Sequence, residues 1–180
     1  KVVDLFAARG YAETSMEDIV RATGVSRYGL YGTFGNKREL FEKALETFAE
    51  RMGKRSFLRL LDEDASLASI RRIFSERVDE MCCKDTERGC LFIHTSMELA
   101  PGNDEIRDVL QKFLGRMSKT FSIGLANAQR NGEVRADLDV GAAGDLLTST
   151  MFGLAVLARS GFQRDVLESI VEQTLAPMAA

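Results

Sequence analysis

Apolar positions along this chain recur every three or four residues and almost never alternate, so the pattern predicts helices throughout. Thr14 and Glu17 fit a capping box, which predicts a helix beginning near Ser15 or Met16. In it Met16, Ile19, Val20 and Ala22 fall on one side and Glu17, Asp18 and Arg21 on the other. Gly24 is a natural left-handed stop, Val25 is placed to plug the gap between helices, and Ser26 is a good N-cap for the next one. That helix covers residues 27–33, with Leu30 and Phe34 turned inward and Arg27, Tyr28, Gly29 and Tyr31 outside. Gly35 breaks it. Asn36 with Glu39 makes a second capping box for a long helix over residues 37–53, striped by Leu40, Phe41, Ala44, Leu45, Phe48 and Met52.

Beyond Gly53 the same spacing predicts five more helices. Ser66 caps one running to about Cys83, with Leu67, Ile70, Ile73, Phe74, Val78 and Met81 inward. A short, strongly apolar helix over residues 88–100 stops at Pro101. Asn103 or Asp104 opens a long helix to about Asn131, closed by Gly132. Its stripe is Ile106, Val109, Leu110, Phe113, Leu114, Met117, Phe121, Leu125 and Ala128. Asp139 or Val140 begins a helix to about Arg159, and residues 163–178 make the last. Residues 140–158 are apolar on nearly every side and rich in Gly and Ala, the mark of a helix buried on more than one face. Either it sits at the centre of a monomer, or one face meets the body and the other a second subunit. In the second case Val166, Leu167, Ile170, Val171, Leu175 and Met178 complete a four-helix interface about a two-fold axis.

The expected fold is therefore all-α. A three-helix domain with a helix-turn-helix occupies residues 1–46, and a larger helical domain occupies residues 47–180. With 180 residues and 45% hydrophobic content, the chain can fill both cores. No run of eighteen apolar residues occurs, so no membrane span is expected, and no secretory leader is recognised. Three cysteines, two of them adjacent (Cys82, Cys83), do not suggest a disulfide scaffold and fit a reducing, cytoplasmic compartment. With one histidine, His94, and no clustered Cys/His spacing, neither a metal site nor a cofactor is expected.

Charge changes the picture locally. The stretch from Ile19 to Arg38 has no acidic residue but carries Arg21, Arg27, Lys37 and Arg38. The first 55 residues hold ten basic and eight acidic groups, the other 125 fourteen and nineteen, which together give the net charge of −3. A phosphate-binding surface needs only local positive charge. Two capped helices, a glycine turn and a cationic, aromatic second helix suit placement of that helix in the major groove of DNA. An exposed Tyr there reaches a thymine methyl or donates to a phosphate oxygen. Lys37 stands at a helix N-terminus, which adds its own attraction for phosphate. Tyr11 is expected to pack internally, and packing alone is the alternative for Tyr31. An enzyme would need a nucleophile–base or carboxylate pair on one face, and one histidine without a Gly-rich phosphate loop argues against it. A protein-binding helical adaptor would account for the body but not for the first fifty residues.

Those residues resemble the N-terminal domain of TetR-family transcriptional regulators. The resemblance rests on Leu5, Phe6, Gly10, Tyr11, Thr14, Ser15, Met16, Ile19, Val20, Gly24, Val25, Ser26, Leu30, Tyr31, Phe34, Lys37 and Leu40. It implies a helix-turn-helix repressor acting as a homodimer on a palindromic operator. It further implies that Thr14 or Ser15, Arg27, Tyr28, Gly29, Tyr31, Thr33 and Lys37 face DNA. Thr33 stands where the family often carries His, and Tyr28 where it often has a small residue, which implies an unusual base preference. The chain starts inside the expected first helix, and the family usually has further, often basic, residues upstream.

More loosely, the RGCLF, MELAP and ARSG stretches are similar to one C-terminal domain type of that family. The resemblance implies an effector cavity lined by Phe57, Phe74, Met81, Phe92, Met97, Phe113, Met117, Phe121, Met151 and Phe152, suited to an apolar or planar small molecule. Plain core packing is the competing account of each, and a buried, satisfied role the competing account of His94. Cys90, following Arg88 and Gly89 near a helix start, is either a thiol stabilised as thiolate for electrophile or redox sensing, or an inert buried one.

Overall fold

Nine helices form among the described residues of the computed structural model, which are residues 1–52, 57–83 and 90–180, less the Met52 side chain. They are α1 (Val2–Arg9), α2 (Met16–Thr23), α3 (Arg27–Phe34), α4 (Lys37–Met52), α5 (Leu67–Met81), α6 (Leu91–Glu98), α7 (Asp104–Arg130), α8 (Val140–Arg159) and α9 (Arg164–Leu175). Leu58–Leu61 and Ala176–Met178 are 3-10 turns, and one isolated antiparallel bridge pairs Val134 with Ala179. The last helix thus stops three residues short of its expected end, because Pro177 has no N–H for the α-helical ladder.

The chain divides into two compact units, residues 1–52 with 87–110 and residues 53–86 with 111–180. By contacts α4 stays whole in the first of these units, and α6 with the start of α7 joins it. There α6 packs against α1 and α4 and buries Leu91 and Phe92, the latter 5.5 Å from the Phe48 ring. The core of this unit is aromatic: Phe6 meets Phe41 edge-on at 5.1 Å, and Tyr11 meets Phe41 at the same distance. Ile19, Leu30, Leu45 and Ile106 fill in around them.

Local signals fix the short helices of this unit. Ser15, not Thr14, caps α2: its hydroxyl accepts from the Asp18 N–H at 3.1 Å, and the Asp18 carboxylate accepts from the Ser15 N–H at 3.0 Å. Thr14 is instead wholly buried, donating its hydroxyl to the Gly10 carbonyl at 2.7 Å. Gly24 ends α2 with φ 77°, and Ser26 caps α3 by accepting from the Gly29 N–H at 3.1 Å. Asn36 and Glu39 exchange side chain–backbone bonds of 3.0 and 2.8 Å ahead of α4. Val25 and Phe34 are exposed rather than inward. Val25 precedes α3 and Phe34 ends it, and a helix of two turns is too short to lay apolar groups at both ends on a single core.

The second unit is built around Phe121, with Phe57 edge-on at 5.1 Å and Phe74 stacked at 5.7 Å. Ser66 caps α5 through Ser69, and the Glu133 carboxylate adds a further cap by accepting from the Leu67 N–H at 3.0 Å. Asn127, nearly buried, donates to the Asp62 carbonyl at 2.7 Å and fixes the approach to α5. Asp139 caps α8 by accepting from the Gly141 and Ala142 N–H groups at 2.9 and 3.1 Å. One face of α8 (Ala143, Gly144, Leu147, Thr148, Met151, Leu154) is buried in a unit where α5 and α9 pack on it. By length and composition alone α8 is apolar enough to cross a bilayer, which a count of unbroken apolar runs does not register because Asp145 interrupts it. That carboxylate accepts from the Ser118 hydroxyl on α7. Val109, expected in the α7 stripe, is exposed.

Gly144 sits at a close approach of α7 and α8. A Cβ there would lie 2.6 Å from the Ser118 carbonyl oxygen and closer still to the Ser122 hydroxyl. Gly144→Ala is therefore expected to lower stability to urea by about 1–3 kcal/mol through overpacking. Gly115→Ala on α7, whose Cβ would meet open space, should instead raise it by about 0.5–1 kcal/mol. Acid unfolding tests the α2 cap. The Ser15 hydroxyl, then the Ser15 N–H, hold the Asp18 carboxyl below its usual value, with help from Arg9 and Arg21. A depressed carboxyl contributes stability above the unfolded pKa, about 3.9, and loses it as pH falls through the lower folded value. Asp18→Asn should therefore be less stable than wild type near neutral pH, and the gap should close at acid pH when both are followed by circular dichroism.

Candidate nucleic-acid interface

On α3 only Leu30 is buried, so almost the whole helix is presented outward. Tyr28 is 90% exposed and Tyr31 39%, and Arg27, Gly32 and Thr33 share the open side. Gly29 is half-buried, and its α-carbon turns toward Val25 and Ser26, which a Cβ would approach to 3.3 Å. It serves the turn rather than the outer face. Ser15 is exposed beside the start of α2. Thr14, buried against Gly10, is removed from the outward set.

Arg27 does not point free. Its guanidinium meets Glu17 of α2 at 2.6 Å, donates to the Tyr31 hydroxyl at 3.3 Å and stands 5.5 Å from that ring. Tyr31 and Glu17 together raise the arginine's pKa above its usual value. The pairing with Glu17 was not legible from periodicity, which placed this residue only on a solvated face. An exposed pair of this kind is worth about 0–1 kcal/mol, so Glu17 holds the guanidinium only weakly.

Lys37, the first residue of α4, is half-buried with its ammonium 4.3 Å from the centre of the Tyr11 ring. Tyr11 itself lies against Phe6 and Phe41, as an internal packing residue should. The lysine is thus steered by an aromatic face rather than left to sample solvent. Glu98, at the end of α6, accepts from the Tyr11 and Ala12 N–H groups at 2.8 and 3.1 Å. No sequence pattern links positions so far apart.

Of the residues expected around an effector, Phe57, Phe74, Phe113, Met117, Phe121 and Met151 are buried in the second unit, with Met81 and Phe152 half-buried there. Two of the expected lining residues fall outside that group. Phe92 belongs to the N-terminal unit against Phe48, and Met97 is 75% exposed. His94 is half-buried with Nδ1 3.3 Å from Glu98 Oε1. Cys90 is the half-buried N-cap residue of α6, while Arg88 and Gly89 lie outside the described residues.

Residues 3–51 match the family model for bacterial regulatory proteins of the tetR family, and residues 66–173 match a tetracyclin repressor-like C-terminal domain. The chain is 30% identical to the HTH-type transcriptional repressor ComR of Escherichia coli (strain K12), over 97% of its own length and 84% of ComR. It is 26% identical to the HTH-type transcriptional repressor DhaR of Mycobacterium sp. (strain GP1), covering 98% and 89% of the two chains. Among solved structures it resembles a cysteine-substituted TetR-family regulator, CifR, complexed with 26-bp operator DNA, with a TM-score of 0.83, 26% identity and coverage of 97% and 92%. Two family domains matched in order, with a relative 30% identical along nearly the whole chain, make this chain a member of the TetR family of DNA-binding transcriptional regulators.

Proposed function

We propose that the protein is a homodimeric, effector-released repressor whose α3 enters the major groove of a palindromic operator. The observation that carries this reading is the row Arg27, Tyr28, Tyr31 and Thr33 on a helix capped at Ser26 and anchored inward only through Leu30. A phenol as exposed as that of Tyr28 gains nothing from the core, and in a groove it covers a thymine methyl or donates to phosphate. Ser15 and Lys37 flank the row as phosphate contacts. The reading is in keeping with ComR and DhaR, both named repressors, and with CifR, solved on its operator.

The dimer rests on α8. Opposite its buried face, Ala142, Leu146, Ser149, Gly153, Val156 and Ser160 are all exposed and fall at alternating spacings of four and three. Such a stripe is a helix-packing seam, and its small residues let two backbones approach closely. Exposed Phe162 and Val166 extend it onto α9. Two copies about a two-fold axis set the two α3 helices at about one DNA turn, ~34 Å, or a multiple of it. The effector is an apolar small molecule admitted among Phe57, Phe74, Phe113, Met117, Phe121 and Met151, with the half-buried Met81 and Phe152 at the margin. It binds better to an arrangement in which the heads no longer fit the operator, so DNA and effector weaken one another by the same factor. The protein works in the cytoplasm, where its DNA is.

Gel shift or fluorescence anisotropy against duplex DNA from beside the protein's own gene tests the surface. Tyr28→Ala should relax base preference, and Lys37→Ala should weaken all duplexes and lower the salt slope by about one unit. Operator affinity unaltered in both variants would contradict the assignment. Leu146→Glu puts a charge in the seam. Sedimentation should find it monomeric, with operator affinity reduced about 100-fold or more as the two half-sites uncouple.

A further inference from the structure

We propose that Glu98 is a positioning residue for DNA binding: from the end of α6 it fixes the turn between α1 and α2, and through Tyr11 it sets where the Lys37 ammonium stands. The inference rests on the reading above in which Lys37 contacts phosphate. Glu98 Oε2 accepts from two successive N–H groups, Tyr11 at 2.8 Å and Ala12 at 3.1 Å. Its side chain is 27% exposed, and its other oxygen lies 3.3 Å from His94 Nδ1. A carboxylate bridging two backbone donors forms charge-assisted bonds, stronger and better directed than neutral ones.

The turn is shaped to receive it. Gly10 closes α1 at φ 81°, ψ −178°, a conformation essentially reserved for glycine. A Cβ there would also fall onto the Glu98 carboxyl group. The Thr14 hydroxyl, bonded to the Gly10 carbonyl at 2.7 Å, braces the turn from its other end. With Tyr11 held at its backbone, its ring rests between Phe41 at 5.1 Å and the Lys37 ammonium at 4.3 Å. Every step of this path lies within the N-terminal unit, and Ser15 follows directly on the braced turn.

Charge and positioning predict opposite signs for removing Glu98. Deleting a negative charge near a DNA-binding face strengthens binding if simple electrostatics governs. Releasing Tyr11, and with it Lys37, weakens binding.

A double-mutant cycle reads this directly, using Glu98→Ala, Lys37→Ala and the pair on duplex DNA from beside the gene and on a scrambled duplex of equal length. Anisotropy is recorded across a salt series, and thermal midpoints are recorded in parallel. Glu98→Ala should weaken binding about tenfold and lower the salt slope by about one unit, the loss of one phosphate contact. On the Lys37→Ala background it should add less than about twofold, because coupled residues are not additive. Glu98→Gln keeps one acceptor oxygen and should fall between Glu98→Ala and wild type, and it carries the test if the alanine variant fails to fold. Full additivity of Glu98→Ala with Lys37→Ala, or a lowered thermal midpoint with affinity and salt slope intact, overturns the positioning role. Wild-type protein that binds neither duplex overturns the DNA-binding reading itself, a result distinct from either.

Discussion

Four of the six helices represented in the N-terminal unit, α1, α2, α3 and α6, are only eight residues long. A helix of that length is unstable alone in water, because nucleation costs more than two turns of hydrogen bonds return. The rest of the unit depends on how that deficit is met. The sixteen-residue α4 supplies a rigid wall through Phe41, Leu45 and Phe48. The Phe6–Phe41–Tyr11 cluster then gives the short helices one apolar surface on which to settle. End caps do the remainder, at about 1 kcal/mol each, with Ser15, Ser26 and Asn36 acting in turn. Stability comes from the ends and undersides of these helices, which leaves their outer faces free for another purpose.

α3 shows that division most plainly. It contains Gly29 and Gly32, two residues of low helix propensity, and buries a single side chain. A helix so poorly supported by its own sequence persists because Ser26 and Leu30 fix its start and middle against the unit. In return Arg27, Tyr28, Tyr31 and Thr33 are held on a defined backbone instead of a loop. Arg27 is also preset by Glu17 and Tyr31. Ordering a long side chain before the encounter lowers the entropy lost on binding, and the partner that holds it is weak enough to be displaced. An acidic chain is compatible with an anionic ligand, because net charge is a property of the whole surface and a ligand needs only local positive charge.

What the amino-acid pattern revealed follows from the range of each interaction. Caps, glycine stops and 3.6-residue stripes act within one or two turns, and α2 to α9 lie where those local signals put them, within a few residues at their ends, while α1 was expected only from the family resemblance. The errors are of two kinds. One is a contest between overlapping frames: Thr14 with Glu17 and Ser15 with Asp18 both satisfy a capping rule, and burial of the Thr14 hydroxyl against Gly10 decides for the second. The other is long range. The chain returns after residue 90 to pack α6 on α1, so the unit boundary, the place of Phe92 and the bond from Glu98 to Tyr11 required knowledge of the fold. The outward set was legible where it lay on a helix face, as for Tyr28 and Tyr31. Where a small residue serves the turn the side chain is less exposed, Thr14 being buried and Gly29 half-buried.

The two faces of α8 bring the same logic to the second unit. Its inner side needs glycine at 144 because α7 crosses there at backbone distance. Its outer side has glycine at 153, where a Cβ would meet nothing within 4 Å. Inside a single chain the second glycine is a pure loss, costing about 1 kcal/mol of helix propensity relative to alanine. Leu146 and Val156 on the same side leave apolar surface in water at a further cost of about 25 cal/mol per Å². Both penalties become gains if another helix lies along that stripe, since the small residues admit its backbone and the large ones are covered. A second copy of α8 would meet that condition under the proposed dimer, because a two-fold contact requires only that the stripe complement itself.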